Sequence, residues 1–547
     1  YTGYETLEVD VSGRSEVNVS LKEATTMLEE FVVIGYGVVR KSDLTGAVSS
    51  VKSDDIRKIT ASNPTQALQG KVAGVQVTTT SGAPGAGLAV RIRGVSNFGN
   101  TSPIYVVDGV ILDDISFLSS GDIQSMEVLK DASATAIYGS RGANGVILIT
   151  TNRGEAKSSG KPQVSLSTEF SMQRLAKKID LLSGKEFAII SNEIKSGSYN
   201  NVDAVPNTDW QSLIFRTAPM HNHQIAISAG NDRLNSYVGV GLYHQDGIIP
   251  KSYFKRLSLK LNNSYKVVDG LTIGNNITLS PYQQRNAPNV TYSVYRAQPV
   301  LKPYYDDGSF GVVYNVGNPL ADLEYSNSYN TGIRAVGNLF ADLNMKKDFF
   351  FRTSFGIDGG YNKSMSFTPA YTIYNPDGTA SQQDNQFSDL FKGQNESLTW
   401  LWENTLTWLK TFDKHSFNAV AGYTMQRSRS EFISFAGQNI LRESRDFWYI
   451  LPPYILDETN NINMLQSIYN GVDANLYYSM ISYLGRINYT YDNRFIGTVT
   501  FRRDGSSKFA PGNRYSNFPS FALGWNLANE KFMQKVDLLS MLKLRAS

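Results

Sequence analysis

The sequence predicts a membrane β-barrel with a compact α+β domain on its N-terminal side. Three observations point there. From Lys161 onward the chain is a series of segments in which apolar and polar residues alternate. Aromatic residues collect at the ends of these segments, as at Trp400, Trp402, Trp408, Tyr489 and Tyr491. Upstream, Leu129 to Gly154 (LKDASATAIYGSRGANGVILITTNRG) reads as a short helix, a glycine turn and a covered strand.

In that upstream stretch, Asp131 is placed to cap the helix start, where a carboxylate accepts orphan N–H groups. Ala132, Ala134, Ala136 and Ile137 suit a short helix packed close to a neighbour. Gly139 stands where a left-handed residue would end it, and Gly142 and Gly145 allow tight turns. Val146 to Thr151 is a continuous apolar, β-branched run, as expected of a strand covered on both faces.

Together with RIRG at Arg91 to Gly94 and PIYVVDGV at Pro103 to Val110, this stretch resembles the plug domain of TonB-dependent outer-membrane transporters. More narrowly, it is similar to the SusC/RagA family of nutrient importers. The resemblance covers the whole chain and is sharpest from Glu29 to Gly154. Its plug signature falls on Arg91, Arg93 and Gly94, on Asp108 and Gly109, on Asp131, Tyr138 and Gly139, and on Arg141, Gly142, Asn144 and Gly145. It implies a barrel of about 22 strands in the complete protein, occluded by the α+β plug. About 13 alternating segments can be counted here, so only the first part of that barrel is expected.

Composition narrows the alternatives. Lys+Arg 52 against Asp+Glu 49 gives a net charge of +3 over 547 residues, so nucleic acid is not an expected partner. There is no cysteine, which excludes disulfides, thiolate metal sites and cysteine nucleophiles. No apolar run reaches the ~18 residues of a membrane-spanning helix. No signal peptide is evident: the chain opens with YTGYETLEV, already strand-like, and closes with MLKLRAS, also strand-like. It reads as a part of a longer protein.

Taken in order, 1–23 looks like the end of a small β-sandwich extension of the carboxypeptidase-regulatory type, and 24–40 like a linker. The linker contains Glu29, Glu30, Phe31, Val32, Val33, Ile34, Gly35, Tyr36 and Gly37, which the resemblance implies is the TonB box. Phe31 to Ile34 favour extended backbone and the two glycines stop regular structure, which suits strand addition to a partner's sheet edge. An ordinary strand of the plug is the plainer reading. Residues 41–158 are the expected plug. Within them Asn63-Pro64 starts a helix, and GVQVTTT is a strand. The glycine-rich SGAPGAGLAV is a turn rather than a phosphate loop, since no Gly-Lys-Ser/Thr follows. Arg91 and Arg93 share a face opposite Val90 and Ile92, either to meet carboxylates or as solvated surface.

Residues 159–547 are the expected barrel part. Leu257, Leu259 and Leu261 alternate with Ser258, Lys260 and Asn262; Ile481, Tyr483 and Ile487 alternate with Ser482, Arg486 and Asn488. In a membrane barrel the apolar face points out and the polar face in. A soluble sandwich would reverse that. Asp180 to Ala218, Pro281 to Asn330, Gly359 to Asn395 and Arg427 to Ser479 read as extracellular loops of roughly 35 to 55 residues. Asp413-Lys414 and Asp492-Asn493 read as periplasmic turns. Tyr292, Tyr295, Tyr304, Tyr305, Trp448 and Tyr449 are the candidate substrate-contact side chains of the loops, since such rings stack while offering hydrogen bonds.

Catalytic chemistry is not evident. His221 and His223 can share a strand face, but no third ligand is apparent, so no metal site is expected. Asp306-Asp307-Gly308 is a weak calcium signal. No nucleophile elbow, Walker or zincin motif occurs, and no cofactor is called for. The resemblance therefore implies a transporter, not an enzyme, in the Gram-negative outer membrane. It would import a bulky nutrient, foremost an oligosaccharide, with an oligopeptide as the alternative. Its implied partners are a SusD-like surface lipoprotein as lid, the TonB C-terminal domain with its inner-membrane energising partners, and outer-membrane lipid. A dimer of transporter–lipoprotein pairs is also compatible with it. From another class, a surface carbohydrate-binding β protein without transport would show similar aromatics.

Overall fold

The computed structural model describes residues 48–58, 61–94, 99, 101–154, 161–440, 442–448, 464–473, 476–533 and 542–547, plus the backbone of Phe31–Val33 and Val38–Arg40, which pair antiparallel. Glu29, Glu30 and Ile34 to Gly37 of the expected TonB box, the expected extension over 1–23, and Tyr449 lie outside the described residues.

The N-terminal unit is built on a five-stranded sheet in the order Val48–Lys52, Ile123–Leu129, Val146–Thr151, Ile104–Val107, Val110–Leu112. Val146–Thr151 is central and almost wholly buried, as its unbroken apolar run requires. It runs parallel to Ile104–Val107 and antiparallel to Ile123–Leu129. Ile56, Leu68, Ile115, Leu118, Ile123 and Met126 close the core beneath it. A separate hairpin pairs Val75–Thr79 with Leu88–Ile92. Asn63 caps the short helix Pro64–Leu68 by accepting from the Thr65 backbone N–H.

Two local expectations are corrected here. Asp131 occupies the N-cap position of Ala132–Thr135, but its carboxylate makes no cap; Arg93 reaches it instead. Gly139 has a positive φ (63°) with ψ −145°, yet the helical path resumes beyond it as Ala136–Asn144, so it kinks rather than ends the segment. Gly142 opens a tight turn closed by the Gly145 N–H on its carbonyl at 3.0 Å, and it also allows close approach, since a Cβ there would fall 2.7 Å from the Thr135 carbonyl oxygen.

Among the described residues, the rest of the chain is built on one 14-stranded antiparallel meander. It runs from Gln163–Gln173 to Lys543–Ala546, each strand pairing with the next along the path, as an open arc around the plug. Met464–Val472 and Tyr478–Tyr491 both pair with His415–Gln438, one after the other, as a single strand interrupted after Val472. The direction of the faces decides the class. Leu259 and Leu261 are 36% and 38% exposed, whereas Ser258, Lys260 and Asn262 are 1%, 3% and 2% exposed. The apolar face is outside and the polar face is covered by the plug, the arrangement of a barrel in lipid.

Three of the four expected long loops, all but Asp180 to Ala218, are shorter than the sequence pattern suggests, because strands extend into them. Asn327–Lys346 and Phe349–Thr368 have 20 residues each, Asp389–Phe412 and His415–Gln438 have 24 each. A tilted strand crosses a bilayer in about 9–11 residues, so these stand well clear of it. Asp180 to Ala218 holds two helices, Gly184–Ile194 with a Ser183/Glu186 capping box, and Trp210–Ile214. At the opposite rim Asp413, Asp492 and Asn493 adopt positive φ in tight turns. Just above these turns, stacked rings of Phe349, Trp408, Phe417 and Tyr489 cross successive strands. They form one edge of an aromatic girdle.

Candidate functional site

The chemistry-bearing contacts of this molecule lie between the plug and the polar face of the barrel wall. Asp108-Gly109 forms the turn between Ile104–Val107 and Val110–Leu112, both residues having positive φ (49° and 97°), as an Asp-Gly hairpin turn demands. The turn aims the Asp108 carboxylate at the wall. It accepts from the Thr151 backbone N–H at 3.1 Å and from its hydroxyl at 2.5 Å, and pairs with Lys260 Nζ at 3.3 Å, both side chains enclosed. Burial opposes ionisation of Asp108, but Lys260, Arg153 and the Thr151 bonds outweigh it and hold its carboxyl below the usual carboxylate value. Asn262 donates to Thr151 Oγ1 and to the Asn152 carbonyl, and Asn338 donates to the Asp108 carbonyl.

Asp122 makes a second contact. Its carboxylate accepts from Gln224 Nε2 at 2.6 Å and from the Tyr237 hydroxyl at 2.8 Å, both from the wall. Burial raises its pKa against these bonds and the more distant Lys260 and Arg256. A third lies at the kink. Arg502, fully buried, donates to the Ile137 carbonyl at 2.6 Å, to Asp504 at 2.6 Å and to Ser482 at 2.9 Å. Arg256 donates to the carbonyls of Ser62 and Ser116. Arg334 holds Asp358 through two bonds of 2.9 Å and reaches Asp114 of the plug at 3.3 Å.

Of the residues expected from sequence, Asp108, Gly109, Tyr138, Gly139 and Arg141 come to this interface. Tyr138 is buried beside Val420 and Leu484 of the wall, and Arg141 donates to Gln426. Arg91 is exposed, and Arg93 pairs with Asp131 inside the plug. Gly94 and Gly145 shape turns through positive φ, and Asn144 donates to the Ser102 carbonyl. Lys260, Gln224, Tyr237 and Arg502 were not singled out. Their signal was a charged or long polar side chain on the polar face of a strand, which alone does not distinguish a plug contact from a lumen wall.

The long loops fold on one another. Trp210, Ile214, Val290, Val294 and Leu323 form a small core, and Trp210 Nε1 donates to the Gln298 carbonyl. The hairpin Tyr371–Tyr374/Ala380–Asn385 docks onto it: Tyr371 stacks on Tyr325 at 4.2 Å, and Gln383 bonds Asn318 and Asp322. This packing redistributes the candidate aromatics. Tyr305 accepts from the Val312 N–H and Tyr295 packs against the loop core. Trp448 is buried on Phe367 (centroids 4.4 Å), which shares the outward face of Phe355 and Ile357, so it is directed away from the lumen. Tyr292 and Tyr304 remain exposed, Tyr292 beneath Arg296. In the acidic loop, Asp306 pairs with Lys302 and Asp307 bonds Ser309, as turn residues do. His221 does find a further imidazole, His244 at 3.1 Å, which in turn meets Asp246.

Comparison with known proteins agrees with this geometry. Residues 40–146 match the model for the TonB-dependent Receptor Plug Domain. The whole chain is 36% identical to TonB-dependent receptor P3 of Formosa agariphila, covering 53% of it, and 31% identical to TonB-dependent receptor SusC of Bacteroides thetaiotaomicron, covering 55%. The chain thus spans about half the length of the curated relatives it matches. Among solved structures, the RagAB peptide importer in its open-open state superposes with a TM-score of 0.81 at 24% identity, over 94% of this chain and 60% of that one. A plug seated on the polar face of an outward-apolar meander defines an outer-membrane TonB-dependent receptor. Within that class the chain belongs to the SusC/RagA family.

Proposed function

We propose that the complete protein imports a bulky nutrient across the outer membrane, energised by TonB. The observation that carries this reading is the enclosed Lys260–Asp108 pair with its neighbours, which fastens the plug to the wall. Burying such groups is costly unless they are paired, and separating them leaves a buried charge. Thermal motion alone is a poor way to move such a plug; a pull from the periplasm, applied through Glu29 to Gly37, suits it. Substrate is taken at the loops and the plug's outer surface, and a SusD-like lipoprotein serves as the lid. Oligosaccharide is the favoured cargo, because exposed Tyr292 and Tyr304 offer ring faces beside polar groups. An oligopeptide is the second reading, favoured by the likeness to a peptide importer. Uptake on a panel of glycans and peptides, with and without Glu29 to Gly37, tests both. Loss of uptake with surface binding retained is expected; undiminished uptake would remove the energised mechanism.

A further inference from the structure

The outward face of the wall carries a pocket that transport does not use. Its cavity, about 410 Å³, lies across the upper parts of four strands in the middle of the sheet. Thr331, Lys363 and Gln394 stand opposite one another, and Tyr329, Met365 and Lys392 form the next row toward the long loops. Lys363 shares the face of exposed Phe355 and Ile357, and Lys392 that of exposed Leu398 and Trp402, so both ammonium groups leave the outer surface. They are diagonal neighbours, about 7–8 Å apart at the backbone, within reach of one ligand group. From above, residues 442–448 lie over this face, with Trp448 on Phe367 and Arg445 at 4.7 Å over the Tyr329 ring.

Three features set the ligand's chemistry. The pocket collects three cations and no carboxylate among its lining residues. None of the three has an ion pair among the described residues, whereas nearby Glu431 is held by Arg429. Its floor, Met365 with Ile433 and Phe435, is apolar. Its height is also specific. At about 3.4 Å per residue and about 45° of tilt, Lys363 and Lys392 stand roughly 34–38 Å above the Phe349 and Trp408 rings. The apolar band of such barrels is about 25 Å tall, so the pocket opens at the depth of the outer-leaflet headgroups. Two ammonium groups and a guanidinium fork suit an oxyanion, and at headgroup depth the oxyanion that lipids present in bulk is phosphate.

We propose that this pocket binds the phosphate-bearing headgroup of an outer-leaflet lipid, seating its apolar part along the wall below. The inference needs the outward face to be lipid-facing but does not depend on what is transported. The complete protein, extracted from its outer membrane in mild detergent, is assayed by mass spectrometry for co-purifying phosphorylated lipid. The combined variant Lys363→Gln, Lys392→Gln and Arg445→Gln should carry at least tenfold less than the unaltered protein, and inorganic phosphate alone should not displace the lipid. A photo-crosslinker at Thr331, with all three cations kept, should label lipid. Equal lipid in the variant, full displacement by inorganic phosphate, or crosslinks to polypeptide alone would each overturn the proposal, the last by assigning the face to a protein contact.

Discussion

A Cβ on Gly139 of the plug would fall 2.0 Å from Asp504 Oδ2 of the barrel wall. No side chain fits there, and the backbone at φ 63°, ψ −145° is one that glycine alone adopts without strain. The Gly139→Ala variant should therefore loosen the seated plug by about 1–3 kcal/mol. Faster hydrogen exchange in Val146–Thr151, with the barrel strands unchanged, is the expected readout in the complete protein.

Replacing Lys260 with Met strands the Asp108 carboxylate in an enclosed site. A loss of about 3–5 kcal/mol in plug docking is expected, since removing one partner of a buried pair leaves its charge uncompensated. Pairing Lys260→Met with Asp108→Asn, which tolerates the positive φ and keeps an acceptor for Thr151, should recover most of it. A double-mutant cycle on thermal unfolding measures the coupling.

The pH dependence of that pair has a definite sign. The folded pKa of Asp108 lies below its ordinary value of 3.8. Its stabilising contribution is therefore complete above about 3.8 and is lost as pH falls through the lower, folded value. Asp122 is shifted the other way, so its contribution is full below 3.8 and fades as pH rises through its raised value. Acid titration of plug exchange should show a low-pH limb that Asp108→Asn removes. In Asp122→Asn, the fall in stability above pH 3.8 should be absent.

The two fates of the loop aromatics can be separated. Trp448→Ala should destabilise the segment Asn439 to Trp448 by about 3–5 kcal/mol, as expected of a buried Trp, while leaving substrate affinity unchanged. Tyr292→Ala should leave folding unchanged and weaken surface binding several-fold. Equilibrium binding alongside limited proteolysis distinguishes the two.

The alternation of Leu259 with Lys260 made the barrel's two faces legible, because one side meets hydrocarbon and the other does not. Above the hydrocarbon band that contrast disappears. Gln394 and Glu396 sit on the outward face of Asp389–Phe412, so the upper half of this strand reads as loop. Asp131 was legible as a helix-start residue, but its partner Arg93 is 38 positions away, and a nearby cation outcompetes the backbone. Lys260 and Asp108 are 152 positions apart, and no local pattern couples residues across that distance. The plug wording carried family membership, whereas the wall residues that grip the plug had no comparable wording.

The strand Val48–Lys52 lies at the edge of the plug sheet and is held on one side only, by five residue pairs with Ile123–Leu129. It is also the first strand of that sheet reached along the chain from the N-terminal linker. Tension arriving from that side meets this outermost strand before it meets Asp108, Asp122 or Ile137. That single five-pair seam is thus in series with the linker, so a pull from that side would load one edge strand while the enclosed contacts of the remaining sheet with the wall stay clamped.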